Sequence, residues 1–191
     1  MAAVALGLKA HSGWAALVAV ADERGDPAVA ARRRLELIDP ADAEWSKQPY
    51  HAAHGLDPEE ARDVVRRGIE AARRIAAREL RAAVAELQRT DHPVAACAVV
   101  LGTPMPEWSV EEILSVHFRM HKAEGELFRD ALARAAESCG LRFVGIPEKS
   151  LPKRADSRLR GRIAGLGKAV GAPWGRDQKE AALAAWVALR S

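Results

Sequence analysis

The chain has 191 residues, 49% apolar and 29% charged, enough for one well-buried core and most simply read as one domain over 1–191. No apolar run approaches the roughly 20 residues of a membrane span. The N-terminus is interrupted by Lys9 and His11 and lacks a basic leader, so it reads as a strand rather than a signal peptide. A cytoplasmic protein with no membrane partner is expected.

Net charge is +3, but residues 141–191 hold eleven Lys/Arg against four Asp/Glu. A basic C-terminal third suits an anionic partner such as nucleic acid or a phosphate-bearing ligand. The competing reading is a solvated cationic surface. Cys97 and Cys139 form no CxxC pair and lie in apolar contexts, which predicts buried free thiols in a reducing compartment. The excess of Ala and Arg over Lys points to a GC-rich bacterial genome.

In chain order, Val4–Ala10 and Trp14–Ala21 read as strands around a His11-Ser12-Gly13 turn. A third strand, Arg32–Ile38, follows the loop ADERGDPA, with Leu35 and Leu37 on one face and Arg34 and Glu36 on the other. A second loop, DPADAEWSKQPYHAAHGL, leads to a helix with Asp57 as N-cap, Pro58 at the first position and Glu60 at capping-box spacing. Its apolar stripe lasts until Asp91-His92-Pro93. About 30 residues give on the order of 45 Å of helix, more than one sheet needs. A homodimer through helix 57–90 is one outcome; a break near Gly68 or an exposed end is another.

VAACAVVLG (94–102) is continuously apolar, as in a strand buried on both faces. A second helix starts at Ser109, with Glu112 three residues on, and runs to Gly140. LRFVGIP (141–147) is a fifth strand. A basic, glycine-rich loop region (Pro152 to Gly175) precedes a last helix, Arg176 to Leu189. The order is β-β-β-α-β-α-β-α. The first three strands pair antiparallel, and the later ones return parallel through helical crossovers.

This order, with Gly7-Leu8-Lys9 before the Gly13 turn and Asp177-Gln-Lys-Glu180 ahead of AALAAWVAL, resembles the ribonuclease H-like superfamily, and within it the RuvC-type Holliday-junction resolvases. The resemblance implies an α/β fold: a mixed five-stranded sheet with helices on both faces. It also implies a nuclease centre of clustered carboxylates holding two Mg2+ ions. This chain departs from that pattern. Lys9 stands where the first-strand aspartate belongs, and Val100-Leu101-Gly102-Thr103 ends the fourth strand without an acid. Only Asp177 and Glu180 match the final-helix acids, so standard two-metal catalysis is not expected.

Three other constellations carry chemistry. In VHFRMHKAEGELFRDAL, His117, His121, Glu124 and Phe128 recur at helical intervals. Two histidines with a glutamate one turn on can bind a transition metal or act as acid and base. The competing reading pairs His121 with Glu124 inside the core, Glu124 being balanced by Lys9 or Arg129. Second, His51 and His54 flank the loop tyrosine Tyr50; His11 lies in the first turn. Third, 151–179 alternates basic residues with glycines and offers Trp174 for stacking on a base. Trp14, Trp45, Trp108 and Trp186 read as core or staple residues.

Three functions follow. One is a ribonuclease H-like protein that binds nucleic acid or another phosphate-bearing ligand, its nuclease site degraded, using Lys9, His11, His51, His54, Arg129 and Trp174. Another is a hydrolase, or a small-ligand or metal enzyme, built on the His117, His121 and Glu124 cluster, with His11 or His51 as a further member; Asp177 is the remaining candidate catalytic residue. The last is a non-enzymatic dimer. Neither metal nor cofactor is specified.

Overall fold

The computed structural model describes residues 2–191, apart from the side chains of Ala43 and Glu44. Three strands open the chain: β1 (Val4–His11), β2 (Trp14–Glu23) and β3 (Asp26–Glu36). Short helices α1 (Ala43–Ser46) and α2 (Pro49–Ala53) lead to the long α3 (Pro58–Arg89), then β4 (Val94–Leu101). Next come α4 (Val110–Leu114), α5 (His117–Ser138) and β5 (Arg142–Pro147). A 3-10 segment (Glu148–Arg154), α6 (Ser157–Gly165), α7 (Gly167–Val170) and α8 (Arg176–Leu189) complete the chain.

The sheet order is β3-β2-β1-β4-β5. β1 is antiparallel to β2, and β2 to β3; β1–β4 and β4–β5 are parallel. β1 is therefore central, and alternation sends its side chains to two cores. Val4, Leu6, Leu8 and Ala10 face the layer of α3 and α5, whereas Ala5 faces α8. β4 is likewise buried on both faces.

α8 buries Ala181, Ala182, Leu183, Ala184, Ala185, Trp186 and Ala188. Its alanines bring its backbone down onto β1 at Gly7. A Cβ at that position would lie 1.8 Å from the carbonyl oxygen of Ala181. The glycine is thus a steric requirement of the helix seat.

Four expectations about the elements change. First, β3 begins at Asp26, not Arg32, because Arg24 and Gly25 both take positive φ. That is the two-residue hairpin geometry that matches strand twist, and Asp22 accepts the Gly25 N–H at 2.6 Å. Second, the loop before α3 contains α1 and α2. Third, the second long helix is two. Ser109 and Glu112 do form a reciprocal capping box, but Val116 is extended and α5 restarts at His117. Fourth, the basic segment is largely helical, and Asp156 caps α6 through the Leu159 N–H at 2.7 Å.

α3 is unbroken; Gly68 lies against Pro49 of α2. Its buried residues run from Ala61 to Leu87, so one stripe packs within this chain along nearly the whole helix. Cys97 is fully buried, and burial pushes its thiol up to about 12. Cys139, expected to be buried too, is half-buried just beyond the end of α5. No helix among the described residues is long and apolar enough to cross a membrane.

Candidate functional site

Two groups of polar side chains gather on opposite faces of the sheet. The first stands over β1 on the α8 face. Lys9 follows Gly7 by two residues, so it points toward α8 as well, and it is only 7% exposed. A buried ammonium needs compensating charge. The pairing with Glu124 considered from the sequence does not form; the structure supplies Glu148 and Glu180 instead, each 2.8 Å from Nζ. Glu148 follows directly after β5, and Glu180 lies one turn into α8. Arg176 closes the square, with 3.0 Å to Glu148 and 2.6 Å to Glu180.

Asp177 pairs with His11 at 3.0 Å. His11 stacks on Trp14, ring centroids 4.5 Å apart, and the Arg34 guanidinium lies 3.9 Å from the Trp14 ring centroid. Cross-strand register explains this stack, since His11 faces Trp14 and Trp14 faces Glu36, two residues beyond Arg34. Trp14, read from sequence as a core or staple residue, lines an open groove of about 490 Å3 with Arg32, Arg34, Pro173, Asp177 and Gln178. Arg32 is spent locally, donating to the carbonyls of Gly171, Ala172 and Pro173.

Burial raises the Glu180 pKa, but Lys9 and Arg176 outweigh it and hold the carboxyl below its ordinary value of 4.5. A depressed carboxyl contributes stability that is present above the unfolded-state value and is lost as pH falls through the folded one. Glu180→Gln is therefore expected to flatten the fall in melting temperature between about pH 5 and pH 3. Wild type and variant curves that stay parallel over that range would contradict the assignment.

The second group lies on the α3/α5 face. Glu124 is 1% exposed. Its Oε1 lies 2.8 Å from Nδ1 of His51 and accepts the His51 backbone N–H at 3.1 Å, while Gln48 Nε2 approaches Oε2 at 3.5 Å. The glutamate charge also raises the pKa of the buried Tyr50, after burial itself. His117 and His121, one turn apart on α5, bring their Nε2 atoms to 3.0 Å. One ring nitrogen from each of His51, His117 and His121 lies within 4.8 Å of the other two.

The structure thus joins His117, His121 and Glu124 to His51, and corrects the pairing inside the core. His121 is exposed, and Glu124 bonds to His51 rather than to His121, Lys9 or Arg129. Arg129 packs against Gly102 at the end of β4 and stands 3.7 Å from Glu126. His54 caps α2, exposed and outside the histidine group. Trp174, expected to stack on a base, turns inward. Its Nε1–H donates to the Ile163 carbonyl at 2.9 Å and its ring lies on Gly167.

No protein-family model matches the chain, and no curated protein is similar to it in sequence. In shape it is similar to T. thermophilus RuvC in complex with Holliday junction substrate, at 12% identity and a TM-score of 0.50, covering 97% of this chain and 91% of that one. A second Thermus thermophilus RuvC structure matches at 13% identity and a TM-score of 0.48, covering 96% and 92%. At such identity the likeness is one of fold: an α/β, ribonuclease H-like fold of the RuvC kind.

Proposed function

We propose that this protein binds nucleic acid through a ribonuclease H-like frame and lacks two-metal cleavage. The observation that carries the reading is the Lys9 ammonium, 2.8 Å from both Glu148 and Glu180. The two-magnesium chemistry of the fold family needs several carboxylates free to face hard cations. Here the donor set already contains a covalently held positive charge, and Arg176 shares the same two carboxylates. A divalent ion a few ångströms from an ammonium is repelled. These residues do not fit a pair of Mg2+ ions.

What supports binding is the surface beside that network. Trp14 carries Arg34 over its face, and the groove it lines opens next to Asp177 and Gln178. On the other side, Arg160, Arg176 and Lys179 line a pocket of about 370 Å3 together with Glu148 and Glu180, which Arg176 already pairs, and with Leu151, Ile163 and Leu183. Cations that flank a shallow groove track a phosphate backbone, and an aromatic face stacks bases. T. thermophilus RuvC, a protein of similar shape, is described in complex with a Holliday junction substrate.

Binding of the full chain to four-way junction, single-stranded and duplex DNA tests the reading. Affinity is expected to fall steeply between about 50 and about 200 mM salt. Arg34→Ala is expected to weaken binding and reduce the salt slope by about one. None of these substrates should be cleaved with Mg2+. Absence of binding to all three at low salt, or cleavage that depends on Mg2+, would overturn it.

A further inference from the structure

We propose that His51, His117 and His121 form a binding site for a late first-row divalent metal ion such as Zn2+, with Glu124 as the group that orients His51. The site lies on the opposite face of the sheet from Lys9 and does not depend on the nucleic-acid reading.

The donor set comes first. A tetrahedral zinc centre with nitrogen ligands about 2.0–2.1 Å from the metal places those nitrogens about 3.4 Å apart. His117 and His121 already stand at 3.0 Å, and all three imidazoles offer a nitrogen within 4.8 Å of the others. Small side-chain rotations close the remaining gap. The i, i+4 spacing on α5 supplies two ligands from one face, and α2 supplies the third from 66 residues upstream.

Glu124 is the second, independent observation. Burying a carboxylate is costly unless its charge is answered. Among the described residues no lysine or arginine pairs with Glu124; its one ionisable partner is His51 Nδ1 at 2.8 Å. With a single His51 proton on Nδ1, donated to that carboxylate, the Nε2 lone pair is left as the metal donor. It is the carboxylate–histidine–metal arrangement, in which the outer carboxylate sets the tautomer and raises ligand basicity. A dication on the far side of His51 would answer the buried charge through the ring.

Ligand chemistry selects the ion. Imidazole nitrogens favour Zn2+, Co2+, Ni2+ or Cu2+ over the hard, oxygen-seeking Mg2+ and Ca2+. Three protein ligands, two of them exposed, leave a coordination position open to water or to an anionic oxygen ligand, as in centres where the metal polarises what it binds.

The test uses the full chain after chelator treatment, with CoCl2 and ZnSO4 as probes. Expected are one equivalent of Co2+ with the visible absorption of a low-coordinate nitrogen site, its displacement by Zn2+, and a zinc-induced rise in melting temperature, because the ion links α2 to α5. His117→Ala and His121→Ala remove exposed side chains, so both should fold and lose affinity at least 100-fold. Glu124→Gln should weaken zinc about 10- to 100-fold; unfolding of the metal-free variant establishes that it is folded. His54→Ala should bind as wild type does. Absence of Co2+ absorption, or zinc binding unchanged by His117→Ala and His121→Ala, would overturn the site. Unchanged binding in folded Glu124→Gln would overturn the role of Glu124. Because DNA is absent, failure here is separate from failure of the nucleic-acid reading.

Discussion

Lys9→Met is expected to lower the melting temperature by roughly 5–10 °C. Removing one partner of a buried ion pair costs about 3–5 kcal/mol, because the charge left behind is uncompensated. Two features moderate that here. The Glu148 and Glu180 side chains keep 35% and 20% of their exposure, and Arg176 still touches both. A loss of about 2–3 kcal/mol is the resulting expectation, and for a domain of 150–250 residues each 1 kcal/mol shifts the midpoint by about 2–4 °C. A double-mutant cycle with Glu180→Gln isolates the pair. The combined variant should be less destabilised than the sum of the single changes by about 1 kcal/mol or more. Additive losses would mean that Lys9 is held by its aliphatic packing and not by these charges.

The larger effect is expected from one methyl group. Gly7→Ala places a Cβ 1.8 Å from the Ala181 carbonyl oxygen and 2.8 Å from the Ala185 nitrogen. Both are backbone atoms of α8, so no rotamer change relieves the clash; the helix must lift from β1. Lifting it exposes Ala181, Ala184, Ala185 and the strand surface beneath, the core of one entire face. A loss above about 4 kcal/mol is expected, at the extreme of single substitutions, and soluble yield should collapse. Gly102→Ala is the matched control. Its new Cβ would lie 2.5 Å from a nitrogen of the Arg129 guanidinium, but that is the tip of a flexible side chain that can swing aside. A change within about 1 kcal/mol is expected there. Comparable stability of the two variants by denaturant unfolding would refute the steric account of the α8 seat.

What was legible in the sequence was local. The strand-turn-strand start, the apolar run of β4, and the Asp57-Pro58 and Ser109/Glu112 helix starts each depend on residues within a few positions of one another, and each is present as read. The break at Val116 was hidden because Leu114 fits the apolar spacing of the following helix by coincidence of phase. The Lys9 partner was hidden for another reason. Glu148 is far along the chain, and only the parallel pairing of β5 beside β4 brings it near; periodicity carries no information about register between strands. His51 and Glu124 are 73 residues apart. Both were singled out, but nothing in their spacing joins them. Trp174 was misplaced because abundant Arg and Gly suggested an open loop, whereas the Asp156 cap builds a helix whose Ile163 carbonyl draws the indole inward.

Lys9 has one more consequence. A metal ion in a carboxylate cage dissociates, and its occupancy follows the ion's concentration in the surrounding medium. The Lys9 charge is tethered to the main chain by four methylenes and cannot leave. The end of the sheet beside α8 is therefore expected to keep its geometry unchanged through exhaustive treatment with EDTA, at any magnesium level, as a permanently loaded position, whereas an ion held at the histidines on the other face would be stripped by the same treatment.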